Sequence, residues 1–143
     1  VDFYGGIASE DKDDFMNKVK ANCDIASYKG VLTPEKIHDT LNNYDVLLLP
    51  TKYYTEGFPG SILDAYISGI PVIVTEWKHA HEFVSDKNTG IIIPFNNNQE
   101  AFNNSILSLY MDRNKLNYMK SAAYKEADKY SDEAAWAVLK KYL

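Results

Sequence analysis

The sequence lacks three features that would each point to a class of protein: paired cysteines, a long apolar run and an excess of positive charge. Its single cysteine, Cys23, excludes an internal disulfide and is typical of a reducing compartment. No apolar run approaches the roughly 20 residues that span a bilayer, and the longest, residues 46–50, has the length of one buried strand. The net charge of −5, without a basic stripe, argues against a nucleic-acid partner.

The N-terminus has neither a starting Met nor the pattern of a signal peptide. Residues 1–4 already have the pattern of a strand, and we expect a cytoplasmic protein that is a piece of a longer chain. Apolar residues make up 45% and charged residues 24% of the sequence, which is ordinary for a soluble globular protein. At this length we predict one domain, residues 1–143, whose part beyond about residue 99 is entirely helical.

Short apolar runs alternate with helical patterns up to residue 94. The predicted strands are residues 1–4, 24–28, 45–49, 71–75 and 90–94, and the predicted helices are 9–21, one opened by Thr33-Pro34, 60–68, 81–84, 101–111, 115–129 and one capped by Ser131. Strands separated by helices predict right-handed βαβ units and a parallel sheet. Because the strands are near-continuously apolar rather than alternating, both faces of the sheet should be covered. The sequence therefore predicts a three-layer, Rossmann-like α/β domain with a parallel sheet of about five strands.

The segment Glu56-Gly57-Phe58-Pro59-Gly60-Ser61-Ile62-Leu63-Asp64 places two carboxylates around a turn that opens a helix. The turn follows a strand, and in parallel sheets ligands bind at the carboxyl ends of the strands. A helix N-terminus attracts anionic or polyhydroxyl ligands, and the carboxylates can accept hydrogen bonds from sugar hydroxyls. The pattern indicates a sugar-nucleotide site. One alternative is that Glu56 is only an acidic residue at the start of the helix and Asp64 a solvated surface residue. The other is that the turn has no ligand and Phe58 is only a hydrophobic plug.

Other residues at the same edge are weaker candidates. Tyr53 and Tyr54 precede the motif on an exposed loop and are candidates to line the pocket, with ordinary packing as the alternative. Lys52 and Lys78 lie near this edge as candidate phosphate cations, with solvated lysines as the alternative. The run His79-Ala80-His81-Glu82 is similar to a metal motif, but residues i and i+2 do not share a helix face, so we expect no metal site.

Six segments carry a resemblance in their order and spacing: residues 45–51, 56–59, 63–65, 69–75, 82–84 and 89–94. Together they resemble the C-terminal, donor-binding half of a GT-B fold retaining glycosyltransferase, with family 4 (group 1 glycosyltransferases) as the best match. The resemblance covers most of the sequence from residue 24 to residue 94.

The resemblance implies a role for each motif residue. Glu56 would be the catalytic carboxylate that faces the donor sugar, and Gly57-Phe58-Pro59 would bind the donor through its backbone. Asp64 stands where the family has Glu and would hold the ribose hydroxyls, while Val31 matches the position whose backbone pairs with the nucleobase. The loop around residues 76–79 is glycine-rich in the family and departs from that pattern here. The candidate residues of the pocket rim are Tyr53, Tyr54, Lys52, Trp77 and Lys78.

The resemblance also implies the reaction and its partners. A sugar would move from an NDP-sugar, UDP- or GDP-linked, to a hydroxyl acceptor with retention and without a metal or other cofactor. A first βα unit, whose Arg and Lys neutralise the diphosphate, would be missing. The N-terminal acceptor domain would be missing too, and any peripheral contact with a membrane would be made by the missing part. The five strands would then close up in the order 2-1-3-4-5 or depend on a further segment. We expect the chain to bind its donor weakly and to be inactive alone, within a bacterial polysaccharide pathway.

Two other functions stay open at this point. The C-terminal half of a sugar-nucleotide epimerase has a similar architecture, although the Phe58-Pro59 turn favours the transferase. A non-catalytic or degenerate α/β nucleotide-binding or interaction module is the other alternative, and Asp64 in place of Glu keeps it open.

Overall fold

The computed structural model describes residues 1–96 and 98–143, and the chain divides into two compact units, Val1–Ile37 and His38–Leu143. Strands and helices alternate along the chain as far as residue 93, and from Gln99 onward the regular structure is helical. The predicted α/β class and the helical C-terminal part are therefore confirmed. None of the helices in the described part of the chain combines the length and hydrophobicity that crossing a membrane requires.

The first unit is a strand–helix–strand arrangement of β1 (Asp2–Tyr4), α1 (Lys12–Ala21) and β2 (Ser27–Gly30). The two strands are parallel and pair Phe3 with Tyr28. The Phe15 ring of α1 packs edge-on against both of them, with centroid distances of 5.4 Å to Phe3 and 5.8 Å to Tyr28. These three rings pack helix α1 against the two strands.

Strand β2 begins three residues later than predicted, at Ser27 rather than at residue 24. The chain is still turning at that point, because the backbone N–H groups of Ile25 and Ala26 both donate to the carbonyl of Asn22. Those two N–H groups are therefore not available to a strand ladder. The strand ends at Gly30, whose φ of 81° is a left-handed conformation that glycine adopts without strain.

A 3₁₀ turn at Pro34–Lys36 precedes the remaining elements, which belong to the second unit except for Ile37, the last residue of the first unit and the first residue of the next helix. They are α2 (Ile37–Leu41), β3 (Leu47–Leu49), α3 (Gly60–Ile67), β4 (Val72–Thr75), α4 (Ala80–Phe83), β5 (Gly90–Ile93), α5 (Gln99–Met111), α6 (Arg113–Glu126), a 3₁₀ turn (Ala127–Tyr130) and α7 (Asp132–Leu139). Strands β3, β4 and β5 are parallel and lie in that order in one sheet. As predicted, Ser131 caps the last helix, because its hydroxyl accepts a hydrogen bond of 3.1 Å from the N–H of Ala134.

The central strand β4 shows why this unit has three layers. Alternate side chains of a strand point to opposite faces of the sheet. Val72 and Val74 belong to a core cluster with residues of α3 and α4, whereas Ile73 belongs to a second cluster with Leu109 of α5 and Leu116 of α6. Both faces of the sheet are thus covered by helices, as its continuous apolar strands indicated.

The strands form two sheets rather than one. Strands β1 and β2 pair with each other, β3 to β5 form a separate ladder, and within residues 1–96 and 98–143 no ladder joins β1 to β3. The closed-up order 2-1-3-4-5 is therefore wrong. Sequence patterns identify strands but not their neighbours, because pairing depends on contacts between segments far apart in the chain.

A buried hydroxyl pair stabilises the core next to α3. The Tyr66 hydroxyl donates to the Phe83 carbonyl at 2.9 Å and lies 2.9 Å from the Thr89 hydroxyl, which also accepts from the N–H of Ser85. Burial raises the pKa of the Tyr66 hydroxyl above its ordinary value. The phenol therefore stays neutral and keeps donating at alkaline pH.

The start of β5 leaves no space for a side chain. A Cβ on Gly90 would lie 2.5 Å from the Val72 carbonyl oxygen and 2.8 Å from a Val84 methyl carbon. Glycine at this position lets β5 approach β4 closely enough for the ladder to form.

An exposed ion-pair cluster joins α6 to Asp45, which lies two residues before β3. The Asp45 carboxylate pairs with Lys120 at 2.7 Å and with Arg113 at 3.2 Å. The Lys120 ammonium and the Arg113 guanidinium lower the pKa of the Asp45 carboxyl below its ordinary value.

Candidate functional site

The motif turn leads into a helix whose N-terminus carries no side-chain cap. Pro59 precedes α3 with a φ of −66° and an extended ψ of 120°, and the first turn of α3 contains no acidic residue. The early N–H groups of a helix have no partners within the helix. The N–H of Ile62 donates to the Pro59 carbonyl at 3.0 Å, so the start of α3 offers the N–H groups of Gly60 and Ser61 and the positive end of the helix dipole to a ligand.

Phe58 fixes the shape of this turn from within. Its ring is stacked between Phe83 of α4, with centroids 4.5 Å apart, and Tyr130 of the 3₁₀ turn, with centroids 4.9 Å apart. The structure supports the hydrophobic-plug interpretation for this side chain. That interpretation is compatible with a ligand site, because the stacked ring holds the neighbouring backbone of Gly57 and Pro59 in place.

Glu56 is half-buried in the loop that follows β3 and is held by its neighbours. Its Oε2 accepts a hydrogen bond of 3.2 Å from the Thr51 hydroxyl, and its N–H donates to the Tyr53 carbonyl at 3.2 Å. Its other carboxylate oxygen has no hydrogen-bond partner within residues 1–96 and 98–143. One oxygen is thus anchored and the other is available to a ligand.

Asp64 lies one turn into α3, and a histidine that the sequence did not indicate lies beside it. The His38 Nε2 atom of α2 lies 3.9 Å from the Asp64 carboxylate, and the His38 Nδ1 atom lies 3.2 Å from the hydroxyl of Ser68. The Asp64 side chain is 32% exposed and so remains accessible. No local pattern links His38 to Asp64, because they lie on different helices.

The predicted rim residues separate into exposed and buried ones. Tyr53 is 76% exposed, and Tyr54 packs edge-on against Phe95 with centroids 5.4 Å apart. The Tyr54 carbonyl accepts a hydrogen bond of 2.8 Å from the N–H of Lys78, which ties the motif loop to the loop after β4. Lys78 itself is exposed.

Trp77 is the exception among the predicted rim residues. Its side chain is 1% exposed and belongs to the core cluster next to α3, so it does not lie on an open rim. Burial of the large apolar surface of the indole is favourable, and among the described residues its buried Nε1–H has no hydrogen-bond partner.

Lys52 lines a small open cavity of about 100 Å³ at the carboxyl ends of β3, β4 and β5, together with Thr51, Thr75, Phe95 and Asn96. The cavity is smaller than the sites that enclose drug-sized ligands, which measure roughly 300–1,000 Å³. By itself it has room for one substituent of a larger ligand.

Val31 belongs to the first unit, directly after the left-handed Gly30, and its side chain is 72% exposed. Its backbone is free of strand pairing, because β2 ends at Gly30.

The two histidines near α4 pair with carboxylates. His79 lies 2.7 Å from Glu82, and His81 lies 3.0 Å from Glu76. Within the described residues, no group of three or more metal-ligating side chains comes together.

Comparison with known proteins identifies sequence relatives. A family model described as "Glycosyl transferases group 1" matches residues 20–126, more than half of the chain. A protein of Campylobacter jejuni subsp. jejuni serotype O:2, named N,N'-diacetylbacillosaminyl-diphospho-undecaprenol alpha-1,3-N-acetylgalactosaminyltransferase, is 31% identical over 87 residues. That match covers 61% of this chain and 23% of the C. jejuni protein.

Solved structures share the fold at lower identity. Anabaena HepE in complex with UDP-glucose superposes with a TM-score of 0.78 at 19% identity, covering 90% of this chain and 35% of HepE. The pneumococcal O-GlcNAc transferase GtfA, solved with UDP and GlcNAc, has a TM-score of 0.78 at 23% identity, covering 99% of this chain and 28% of GtfA. The C-terminal domain of the group 1 glycosyl transferase LpcC from Francisella tularensis has a TM-score of 0.71 at 20% identity, covering 87% of this chain and 66% of that structure. The chain thus spans about a third of HepE and less of the C. jejuni relative.

Proposed function

The chain belongs to the group 1 glycosyl transferases, with the fold of GT-B glycosyltransferase domains, and from this premise we propose that it is the nucleotide-sugar-binding part of a retaining enzyme. The sugar would pass from a UDP- or GDP-linked donor to a hydroxyl acceptor. The observation that carries the proposal is the uncapped N-terminus of α3 between the carboxylates of Glu56 and Asp64. HepE and GtfA were solved with UDP-glucose and with UDP and GlcNAc, which supports a nucleotide-sugar donor.

The diphosphate is the part of the donor that α3 would stabilise. Negative charge develops on the leaving diphosphate as the glycosidic bond breaks, and preorganised N–H donors stabilise it without moving. Lys52 and Lys78, in the loops before the motif and after β4, are the cations nearest in sequence to this turn. We propose that the N–H groups of α3 and these cations stabilise the diphosphate without a bound metal.

The two carboxylates would orient the donor at its two ends. Glu56 would accept hydrogen bonds from the donor sugar and act as the catalytic carboxylate, because one of its oxygens is held by Thr51 and the other is available. Asp64 would accept from the ribose hydroxyls through its partly exposed carboxylate. The backbone at Val31 would pair with the nucleobase.

The acceptor side of the reaction is proposed to lie in another part of the protein, since the chain spans 35% of HepE. We therefore expect the chain alone to bind donor weakly and to transfer nothing. The name of the C. jejuni relative gives that protein an undecaprenol-linked acceptor, which supports a bacterial polysaccharide or glycan pathway. We further propose that the enzyme acts on the cytoplasmic side and that any membrane contact is made by the rest of the protein.

Titration of the chain with UDP, GDP and ADP tests the proposal. We expect one nucleotide to bind saturably with a Kd of about 1 mM, equivalent to about 4 kcal/mol. Asp64→Ala should weaken that binding about tenfold, the value of one hydrogen bond to a charged group. Asp39→Ala, which removes the same charge from an exposed position on α2, is the matched control and should leave the Kd unchanged. No saturable binding of any of the three, or equal Kd values for both variants, would contradict the proposal.

A further inference from the structure

Thr51 uses all of its polar atoms in one network directly after β3. Its N–H donates to the Leu49 carbonyl at 2.9 Å, and its carbonyl accepts from the Thr75 hydroxyl at 2.7 Å. Its hydroxyl accepts from the N–H of Tyr53 at 3.1 Å and donates to Glu56 at 3.2 Å. Each of these contacts lies within the usual hydrogen-bond range.

The direction of the hydroxyl proton follows from its partners. A backbone N–H can only donate, so the Tyr53 N–H occupies a lone pair of the Thr51 oxygen. An ionised carboxylate can only accept, so the single Thr51 proton points to Glu56. The rotation of the hydroxyl is therefore fixed, and with it the position of one oxygen of the Glu56 carboxylate.

Thr75 connects this network to the rigid part of the unit. Its side chain is 6% exposed and lies at the end of the fully buried strand β4. Through the Thr75 hydroxyl, the carbonyl of Thr51 is bound to β4 as well as to β3. Glu56 stands on an irregular loop, but its carboxylate is held by a residue anchored to two strands of the sheet.

We propose that Thr51 is the positioning residue of Glu56, setting the carboxylate for the sugar part of the donor. The inference rests on the proposed function and deepens it. It separates two parts of the ligand: Thr51 acts on the sugar through Glu56, whereas the nucleotide is bound by α3 and Asp64. Loss of the Thr51 hydroxyl therefore weakens binding of the nucleotide sugar and leaves binding of the free nucleotide unchanged.

Binding of UDP, UDP-glucose, GDP and GDP-mannose to the chain tests this separation. Thr51→Val keeps the shape of the side chain and removes the hydroxyl. We expect it to raise the Kd of the nucleotide sugar about tenfold while the Kd of the free nucleotide stays unchanged. Thr51→Ser keeps the hydroxyl and should restore the wild-type ratio of the two Kd values. Added to Glu56→Ala, Thr51→Val should cause no further loss.

A control and two contrary outcomes make the experiment decisive. Thr89→Val removes a hydroxyl that is bonded to Tyr66 and Ser85 rather than to Glu56, so it should leave the ratio of the two Kd values unchanged. If Thr51→Val lowers the affinity for nucleotide and nucleotide sugar equally, or lowers neither affinity, the role of Thr51 is overturned and the proposed function still stands. Failure of the wild-type chain to bind any of the four probes overturns the proposed function itself.

Discussion

Substitution of Phe58, whose ring anchors the motif turn, has a predictable effect on stability. The ring is only partly buried, and the size of the effect follows from the buried share. It is 36% exposed, so about two thirds of its surface is packed, chiefly between Phe83 and Tyr130. Truncation of a fully buried Phe to Ala costs about 3–5 kcal/mol. Scaled by the buried share, Phe58→Ala should lower the free energy of unfolding by about 2–3 kcal/mol.

A second substitution separates stacking from burial. Phe58→Leu keeps most of the apolar area and loses two stacked ring pairs, each worth about 0.5–1.5 kcal/mol beyond its area. Because the ring is partly exposed, we expect a loss of stability in the lower part of the resulting range, about 1–2 kcal/mol, which lies between wild type and Phe58→Ala. Tyr53→Ala removes an aromatic ring of the same loop that is 76% exposed, and should change the free energy by less than about 0.5 kcal/mol.

Urea unfolding followed by tryptophan fluorescence measures these differences. Trp77 is buried in the core of the second unit and reports its unfolding directly. A Phe58→Ala variant that loses no more stability than Tyr53→Ala would refute the view that the stacked ring anchors the turn.

Four further substitutions test contacts within the second unit. Tyr66→Phe removes the hydroxyl that is hydrogen-bonded to the Phe83 carbonyl and to the Thr89 hydroxyl, so urea unfolding should show a free energy of unfolding lower by about 1–2 kcal/mol at pH 7. Because the folded-state pKa of Tyr66 is raised, wild type should also lose stability as pH rises above about 10, where the unfolded tyrosine ionises, and Tyr66→Phe should lose less over that window. Asp45→Asn should cost less than about 1 kcal/mol at pH 7, since the pair is half exposed. The lowered pKa means that this difference should disappear as pH falls below about 4, where the carboxyl of the unfolded chain is protonated. Gly90→Ala should cost about 3 kcal/mol or fail to fold because its Cβ meets backbone, whereas Gly60→Ala, with open space around it, should stay within about 0.5 kcal/mol of wild type by thermal melting.

The elements that the sequence predicted best are those buried on both faces. Residues 71–75 and 90–94 are almost entirely apolar, and the structure has β4 and β5 there. Strand β2 was misplaced because its start depends on where the turn after α1 stops using its own N–H groups. The division into two sheets was missed for a related reason, since ladders form between segments that lie far apart in the sequence.

At the candidate site, the sequence predicted the features that depend on neighbouring residues but not the contacts between segments far apart in the chain. The motif predicted the uncapped start of α3, because the turn residues and the helix are adjacent in sequence. The burial of Trp77 was missed, since its neighbours Glu76 and Lys78 are charged and exposed. The contact of His38 with Asp64 and that of Thr75 with Thr51 each bring together segments more than 20 residues apart.

The most direct test of the account follows the amide chemical shifts of the chain while UDP, GDP or ADP is added. The account predicts saturable shifts for one nucleotide at Gly57 and Gly60 in the motif turn, at Asp64 on α3 and at Val31 after β2. The same shifts should be lost in Asp64→Ala. Shifts confined to other surfaces, or no saturable shift with any nucleotide in a chain whose spectrum is that of a folded protein, would contradict a donor site at the start of α3.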